Sequence, residues 1–170
     1  MPDERVDLID LDDRVLGQVS RREVRERNLL HRGVSVLVWS PQGELYVHRR
    51  TRTKDLFPGL HDVFVAGVVQ AGEGYDETAR RELAEELGVV GPAPEPLFRH
   101  LYEGPRCRAW TAVYQVTWGG PVVPQASEIE WGAFLPLEEV TARLEAWAFV
   151  PDGLEIFRRW QREHGRPPGR

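Results

Sequence analysis

Residues Ala66–Val89, AGVVQAGEGYDETARRELAEELGV, decide how the rest of this chain is read. The second half predicts a helix from about Tyr75 to Leu87. Gly74 can serve as its N-cap, Asp76 and Glu77 put negative charge in the first turn, and Gly88 is a natural stop. Ala79, Leu83 and Leu87 recur at i, i+4 and i+8 and form one narrow apolar stripe. Beside it lie Glu82, Glu85 and Glu86, spaced i, i+3, i+4, so their carboxylates project from one face.

That face is unfavourable by itself. Glu82 and Glu86 are a like-charge i,i+4 pair, costing roughly 0.2–0.5 kcal/mol. Glu85 and Glu86 occupy the last turn, where each acid opposes the helix dipole by about 0.3–1 kcal/mol. Arg80 and Arg81 precede them, the poorer order for helical ion pairs. Compensation from outside the helix is expected, and a hard divalent cation held by carboxylate oxygens supplies it. The alternative is a solvated face on which Arg81 merely pairs with Glu85.

The residues before the helix bear on that choice. The whole stretch runs Gly67, five residues, Glu73, seven residues, Arg81-Glu82-Leu83, one residue, Glu85-Glu86, one residue, Gly88-Val89. This pattern resembles the Nudix box, with every defined position filled. The resemblance implies the Nudix fold: α+β, an α/β/α sandwich with a mixed β-sheet and the box as a loop–helix–loop at one sheet edge. It implies hydrolysis, dependent on Mg²⁺ or Mn²⁺, of a small molecule in which a diphosphate, as in a nucleoside diphosphate, is linked to another moiety. Carried over by position, Glu82, Glu85 and Glu86 are metal ligands and catalytic groups, with Glu73 as an outer or alternative ligand. Arg81 orients the glutamates. Gly67 lets the loop backbone approach the metal and substrate, and the Ala66 carbonyl is a candidate ligand.

Composition sets the bounds. A chain of 170 residues with 41% hydrophobic content accommodates one domain with a real core, taken as residues 1–164, with 165–170 as a disordered tail. The net charge of −5 argues against non-specific nucleic-acid binding. One cysteine, Cys107, excludes an internal disulfide and suits a reducing cytoplasm. No apolar run approaches the ~18 residues of a membrane span. The acidic start, MPDERVDLIDLDD, lacks the apolar core of a secretory signal. The expected partner is a small-molecule diphosphate; a monomer and a homodimer both remain open.

In chain order, Val6–Ile9 and Val15–Val19 predict a hairpin, and Ser20 caps a short basic helix over 21–28. Gly33–Ser40 and Glu44–Arg49 are strands joined at Pro41-Gln42-Gly43; Leu45 and Val47 alternate with polar neighbours, as in a half-buried strand. The order DLID…GQVSRREVR…HRGVSVLVW…GELYVHRRT…PGLHDVF also resembles the isopentenyl-diphosphate-isomerase-like branch of the superfamily. Isomerases of that branch use a cysteine just before the box region. Here that segment, Leu60–Ala66, has none, and Cys107 lies far downstream with no sequence reason to join the site. Isomerase activity, and a non-catalytic binding module, are the alternatives to hydrolysis.

The basic run His48–Lys54 supplies substrate-phosphate candidates in Arg49, Arg50 and Lys54. Strand alternation sends Arg49 and Arg50 to opposite faces, so only one is expected in the pocket. After the helix, prolines in 90–96 are expected to forbid regular structure, and strands follow over 97–102 and 107–118. In Nudix proteins a further carboxylate often comes from the loop before an aromatic strand; Glu128 is the choice here, with Glu130 second. Two helices close the chain. Leu137, Val140, Leu144 and Trp147 stripe the first; Leu154, Phe157 and Trp160 stripe the second, capped by Asp152.

Overall fold

The computed structural model describes residues 3–169; Met1, Pro2 and Arg170, the last of these within the expected tail, lie outside it. The chain opens with a hairpin of β1 (Arg5–Ile9) and β2 (Val15–Ser20), antiparallel and separate from the main sheet. Asp10 closes its turn by accepting the N–H groups of Asp12 and Arg14, each at 2.9 Å. Ser20 then caps α1 (Arg21–Arg27), its hydroxyl accepting the Glu23 N–H at 3.1 Å, and Asn28 ends the helix in the left-handed region.

The main sheet is built on β3 (Leu30–Trp39), which pairs in parallel with β8 (Arg108–Thr117) over its whole length. The outer neighbour of β8 is the antiparallel edge strand β7 (Glu95–Glu103). On the other side of β3 the sheet divides. β6 (Val65–Val68) pairs with Gly33–Val36, whereas β4 (Leu45–Arg50) meets β3 only at Trp39↔Leu45. β4 pairs instead with β5 (His61–Asp62) and β9 (Ile129–Leu135). A cavity lies at this division, where β4 and β5 part from β3 and β6.

Alternation along β3 separates two cores. Val34, Val36 and Val38 pack with Ala79, Leu83 and Leu87 of α2 (Tyr75–Leu87) on one face. Leu37 and Trp39 pack on the other with Val140 of α3 (Leu137–Arg143) and Ile156, Phe157 and Trp160 of α4 (Pro151–Glu163). Helices on both faces of a mixed sheet make the expected α/β/α sandwich.

Several local expectations are corrected. β4 is buried on both faces rather than half-buried: Leu45, Tyr46, Val47 and His48 are all inside, because helices cover both sides of it. β7 starts at Glu95 and contains Pro96, which the edge of the sheet tolerates beside a bulge between Pro96 and Phe98. The box helix covers a sheet face, and only the preceding β6 lies toward the split edge. Asp152 is not the cap of α4; Val150 holds that position, Pro151 begins the helix, and Asp152 sits within its first turn. Trp147 falls beyond α3 and packs between His61 and Phe149.

Candidate active site

The box helix runs Tyr75–Leu87, as its periodicity predicts, between Gly74 and a left-handed Gly88. Gly88 N–H donates to the Ala84 carbonyl at 3.0 Å and Val89 N–H to the Leu83 carbonyl at 3.1 Å. The apolar stripe therefore locks onto β3 and β6, and the helix rotation this imposes sets where each glutamate points. Glu82 and Glu86 turn inward and are buried; Glu85 lies at the rim, 52% of its side chain exposed.

Gly67, on β6, is the floor beneath Glu82. A β-carbon there would lie 2.2 Å from the Glu82 carboxylate, so only glycine lets strand and carboxylate approach this closely. Arg81 organises the acids around it. Its guanidinium grips Glu73 with two donors, Nε to Oε1 at 2.8 Å and Nη2 to Oε2 at 2.9 Å. It also reaches Glu82 at 2.8 Å, Glu85 at 3.3 Å and the Val68 carbonyl at 3.3 Å. Glu73 is held further by the Thr78 hydroxyl at 2.7 Å and the Gln70 N–H at 3.3 Å. The Arg81 bond holds the Glu73 carboxyl below its ordinary range.

Glu86 is the contrasting member. Among the described residues it has no ion-pair partner, although it lies deep against Glu82 and near Tyr46. Burial, and then the Glu82 charge, push its carboxyl well above the ordinary value. Burial raises Glu82 to about 7 against the opposing pull of Arg81. Among the described residues no group of three or more His, Cys, Asp or Glu side chains is drawn together closely enough to hold a metal ion. The donor set nonetheless fits a hard cation: two adjacent buried carboxylates, of which only Glu82 is ion-paired among the described residues, stand over a glycine floor, and bound positive charge would favour their ionised forms.

Glu128 is brought to this site by the loop before β9. Gln125 and Val123 N–H groups bind the carbonyls of Glu86 and Leu87 at the end of α2, at 2.8 and 2.9 Å. Glu128 pairs with Lys54, and its carbonyl accepts the Thr51 N–H at 3.0 Å, tying the basic loop to the same place. Glu130 goes elsewhere, to Arg49 at 2.9 Å.

Arg50 and Lys54 line one cavity of about 80 Å³ together with Ala66 and Gly67. Arg50 is braced by the Phe57 and Leu56 carbonyls at 3.2 and 2.8 Å, and Phe57 adopts a positive φ of 51° there. Arg49 does not reach it; it faces the opposite side, beside His61, Trp131 and Trp147. Sequence reading missed Arg21 and Arg25, which line the cavity from α1; their i,i+4 spacing on a basic helix was the available signal. It also missed His31, Asp62 and Asp152 in the same wall. Cys107, expected to lie apart, lines it too. Burial pushes that thiol up to about 12, so it stays protonated.

A mixed sheet between helices, carrying a glycine-floored cluster of box glutamates, defines the Nudix class of hydrolases. Comparison with known proteins agrees: the NUDIX domain model matches residues 29–158, and the chain belongs to this family. It is 50% identical over 159 residues to the protein named Uncharacterized Nudix hydrolase SCO1686 of Streptomyces coelicolor, covering 92% of this chain and 88% of that one. It is 36% identical over 163 residues to the Nudix hydrolase YfcD of Escherichia coli, covering 96% and 89%. The crystal structure of DR0079 from Deinococcus radiodurans superposes with a TM-score of 0.78 at 34% identity, over 92% of this chain and 98% of that one. The protein is thus an enzyme of the Nudix hydrolase family.

Proposed function

We propose that this Nudix hydrolase cleaves the diphosphate linkage of a small molecule with the help of Mg²⁺ or Mn²⁺. The observation that carries this is the burial of Glu82 and Glu86 side by side, Glu82 over Gly67, with Arg81 paired to Glu82 and, among the described residues, no ion pair to Glu86. Glu82 and Glu86 would hold the metal, joined by Glu85 from the rim and the Ala66 carbonyl beside the floor. Glu73, fully engaged by Arg81, Thr78 and Gln70, acts by fixing Arg81 rather than by direct ligation. When bound, the metal supplies charge neutralisation at the phosphate oxygens and lowers the pKa of a coordinated water.

The chain's own groups do the rest. Arg50 and Lys54 reach the cavity and contact substrate phosphate; Arg21 and Arg25 extend that positive wall. Lys54 leaves Glu128 for phosphate when substrate enters, which frees a carboxylate beside Glu86 to accept a proton from water. Positioning and electrostatic stabilisation account for most of the acceleration in phosphoryl transfer. A cytoplasmic location fits the single buried thiol, and no helix among the described residues is long and apolar enough to cross a membrane.

One observation favours a second reading. Cys107 shares the cavity with Gly67, and the first half of the chain resembles the isomerase-like branch, so isopentenyl-diphosphate isomerisation is the alternative. The raised thiol and the complete box weigh toward hydrolysis. The test is a screen of nucleoside diphosphates, sugar nucleotides, dinucleotides and prenyl diphosphates with Mg²⁺ or Mn²⁺, scored for released phosphate or nucleotide. Cleavage of at least one class supports the reading; none across the panel counts against it.

A further inference from the structure

The cavity continues past the phosphate-facing residues to a wall that neither metal nor phosphate binding uses. Asp62 ends β5 and Asp152 lies in the first turn of α4, and both line the cavity that holds Gly67, Arg50 and Lys54. The adjoining wall is apolar, from Leu56, Phe57 and Val150. Asp62 is 3% exposed, its Oδ1 accepting the Phe64 N–H at 3.0 Å. The start of α4 presses on it: a β-carbon at Gly153 would lie 2.7 Å from Asp62 Oδ1. Glycine there lets the turn that carries Asp152 sit against Asp62.

Asp152 Oδ1 is buried and, among the described residues, has no hydrogen-bond partner. A carboxylate oxygen removed from water and left unpaired in a cavity wall is placed to receive a donor from a ligand. Burial, and then the Asp152 charge, push the Asp62 carboxyl up to about 7; burial raises the Asp152 carboxyl as well, opposed by backbone N–H groups, Arg50 and Arg25. Both carboxyls resist ionisation, so a proton is retained between them and the pair offers acceptor oxygens beside a donor. Arg21, Arg25, Arg50 and Lys54 in the same lining disfavour an ammonium group. A neutral hydroxyl, donor and acceptor at once, matches both the polarity and the charge.

We propose that Asp152 Oδ1, with Asp62 beside it, accepts a hydrogen bond from a hydroxyl on the non-phosphate moiety, so that the site selects compact hydroxylated alcohol diphosphates over hydrocarbon ones. This rests on the diphosphate-hydrolase reading, which anchors the other end of the substrate. Sites built to pair a substrate hydroxyl reject analogues that lack it, because the protein group is then left unpaired.

The probes are two non-hydrolysable methylenediphosphonate monoesters of equal length, 4-hydroxybutyl and butyl, titrated calorimetrically into the full chain with Mg²⁺. The wild type is expected to bind the hydroxybutyl ester at least tenfold more tightly. In Asp152→Ala that ratio falls below threefold while butyl affinity is unchanged, which also shows that the variant folds. Should Asp152→Ala fail to bind even the butyl ester, the 4-fluorobutyl ester, which has no hydrogen to donate, decides in the wild type: it is expected to bind at least threefold more weakly than the hydroxybutyl ester, and equal affinity overturns the proposal. Equal affinities in the wild type, or a ratio retained in Asp152→Ala, also overturn it and leave the hydrolase reading standing. Failure of the wild type to bind either ester removes the diphosphate reading itself, and this proposal with it.

Discussion

Gly67 and Glu82 approach so closely that a single added β-carbon would lie 2.2 Å from the carboxylate, well inside contact distance. The box glycine is thus a steric requirement set by how α2 packs on β6. Gly67→Ala is expected to displace Glu82, lower turnover at least 100-fold and cost about 1–3 kcal/mol of stability, the usual range for overpacking. Steady-state kinetics and urea unfolding check both. An alanine variant with unchanged kcat and stability would show that Glu82 can move aside without consequence.

Arg81 holds Glu73, Glu82 and Glu85 through a planar fork, and lysine cannot reproduce that geometry. Arg81→Lys is expected to lose about 1–3 kcal/mol, since charged partners lose hydrogen bonds in a partly buried site. Its activity should fall at least tenfold because Glu82 is no longer oriented. Wild-type unfolding midpoints for this variant would reduce Arg81 to a surface ion pair.

The pH dependence of stability should carry the Asp62 signature. Its folded pKa, about 7, lies above its ordinary value of 3.8, so between those values the folded state binds more protons than the unfolded state. Stability from this group is therefore lost as pH rises through about 7. Asp62→Asn removes that loss and keeps an acceptor for the Phe64 N–H. Relative to wild type, the variant's melting temperature should be more favourable at pH 8 than at pH 5. The difference between variant and wild type isolates Asp62 from His31 and His48, whose lowered pKa values act in the opposite sense on acidification. An equal difference at both pH values would contradict a buried, raised Asp62.

Cys107 separates hydrolysis from isomerisation. Its thiol is buried and held protonated, so Cys107→Ser should leave diphosphatase activity within about threefold, at a stability cost of about 1–3 kcal/mol for burying a hydroxyl. The wild type should not interconvert isopentenyl and dimethylallyl diphosphate, followed by chromatography with Mg²⁺. Interconversion at enzymatic rates that disappears in Cys107→Ser would replace the hydrolase reading.

The parts of the site legible in the sequence are those specified locally. The helix bounds Tyr75–Leu87, the Gly88 stop and the inward stripe follow from periodicity within one element. The opposite placement of Arg49 and Arg50 follows from strand alternation. Periodicity could not separate Glu85 from its neighbours, because the i, i+3, i+4 set spans an arc and tertiary packing decides which part is covered. Burial of His48 and Tyr46 was hidden because alternation reports one covered face, whereas β4 has two. Asp62 and Asp152 carry no signal at all; only the seating of α4 on β5 brings them into one wall.

Buried Glu82 and Glu86 are proposed to form a divalent-metal site whose metal-free cost is mutual repulsion. Mn²⁺ titration followed by electron paramagnetic resonance, in wild type and Glu86→Gln, tests it without needing a substrate. Saturable binding is expected in the wild type, weakened at least tenfold in Glu86→Gln. Metal-free Glu86→Gln should meanwhile unfold at the same or a higher urea concentration, because the substitution removes repulsion and preserves shape. Undiminished Mn²⁺ affinity in Glu86→Gln, or a loss of several kcal/mol in its metal-free form, would contradict the metal-site reading.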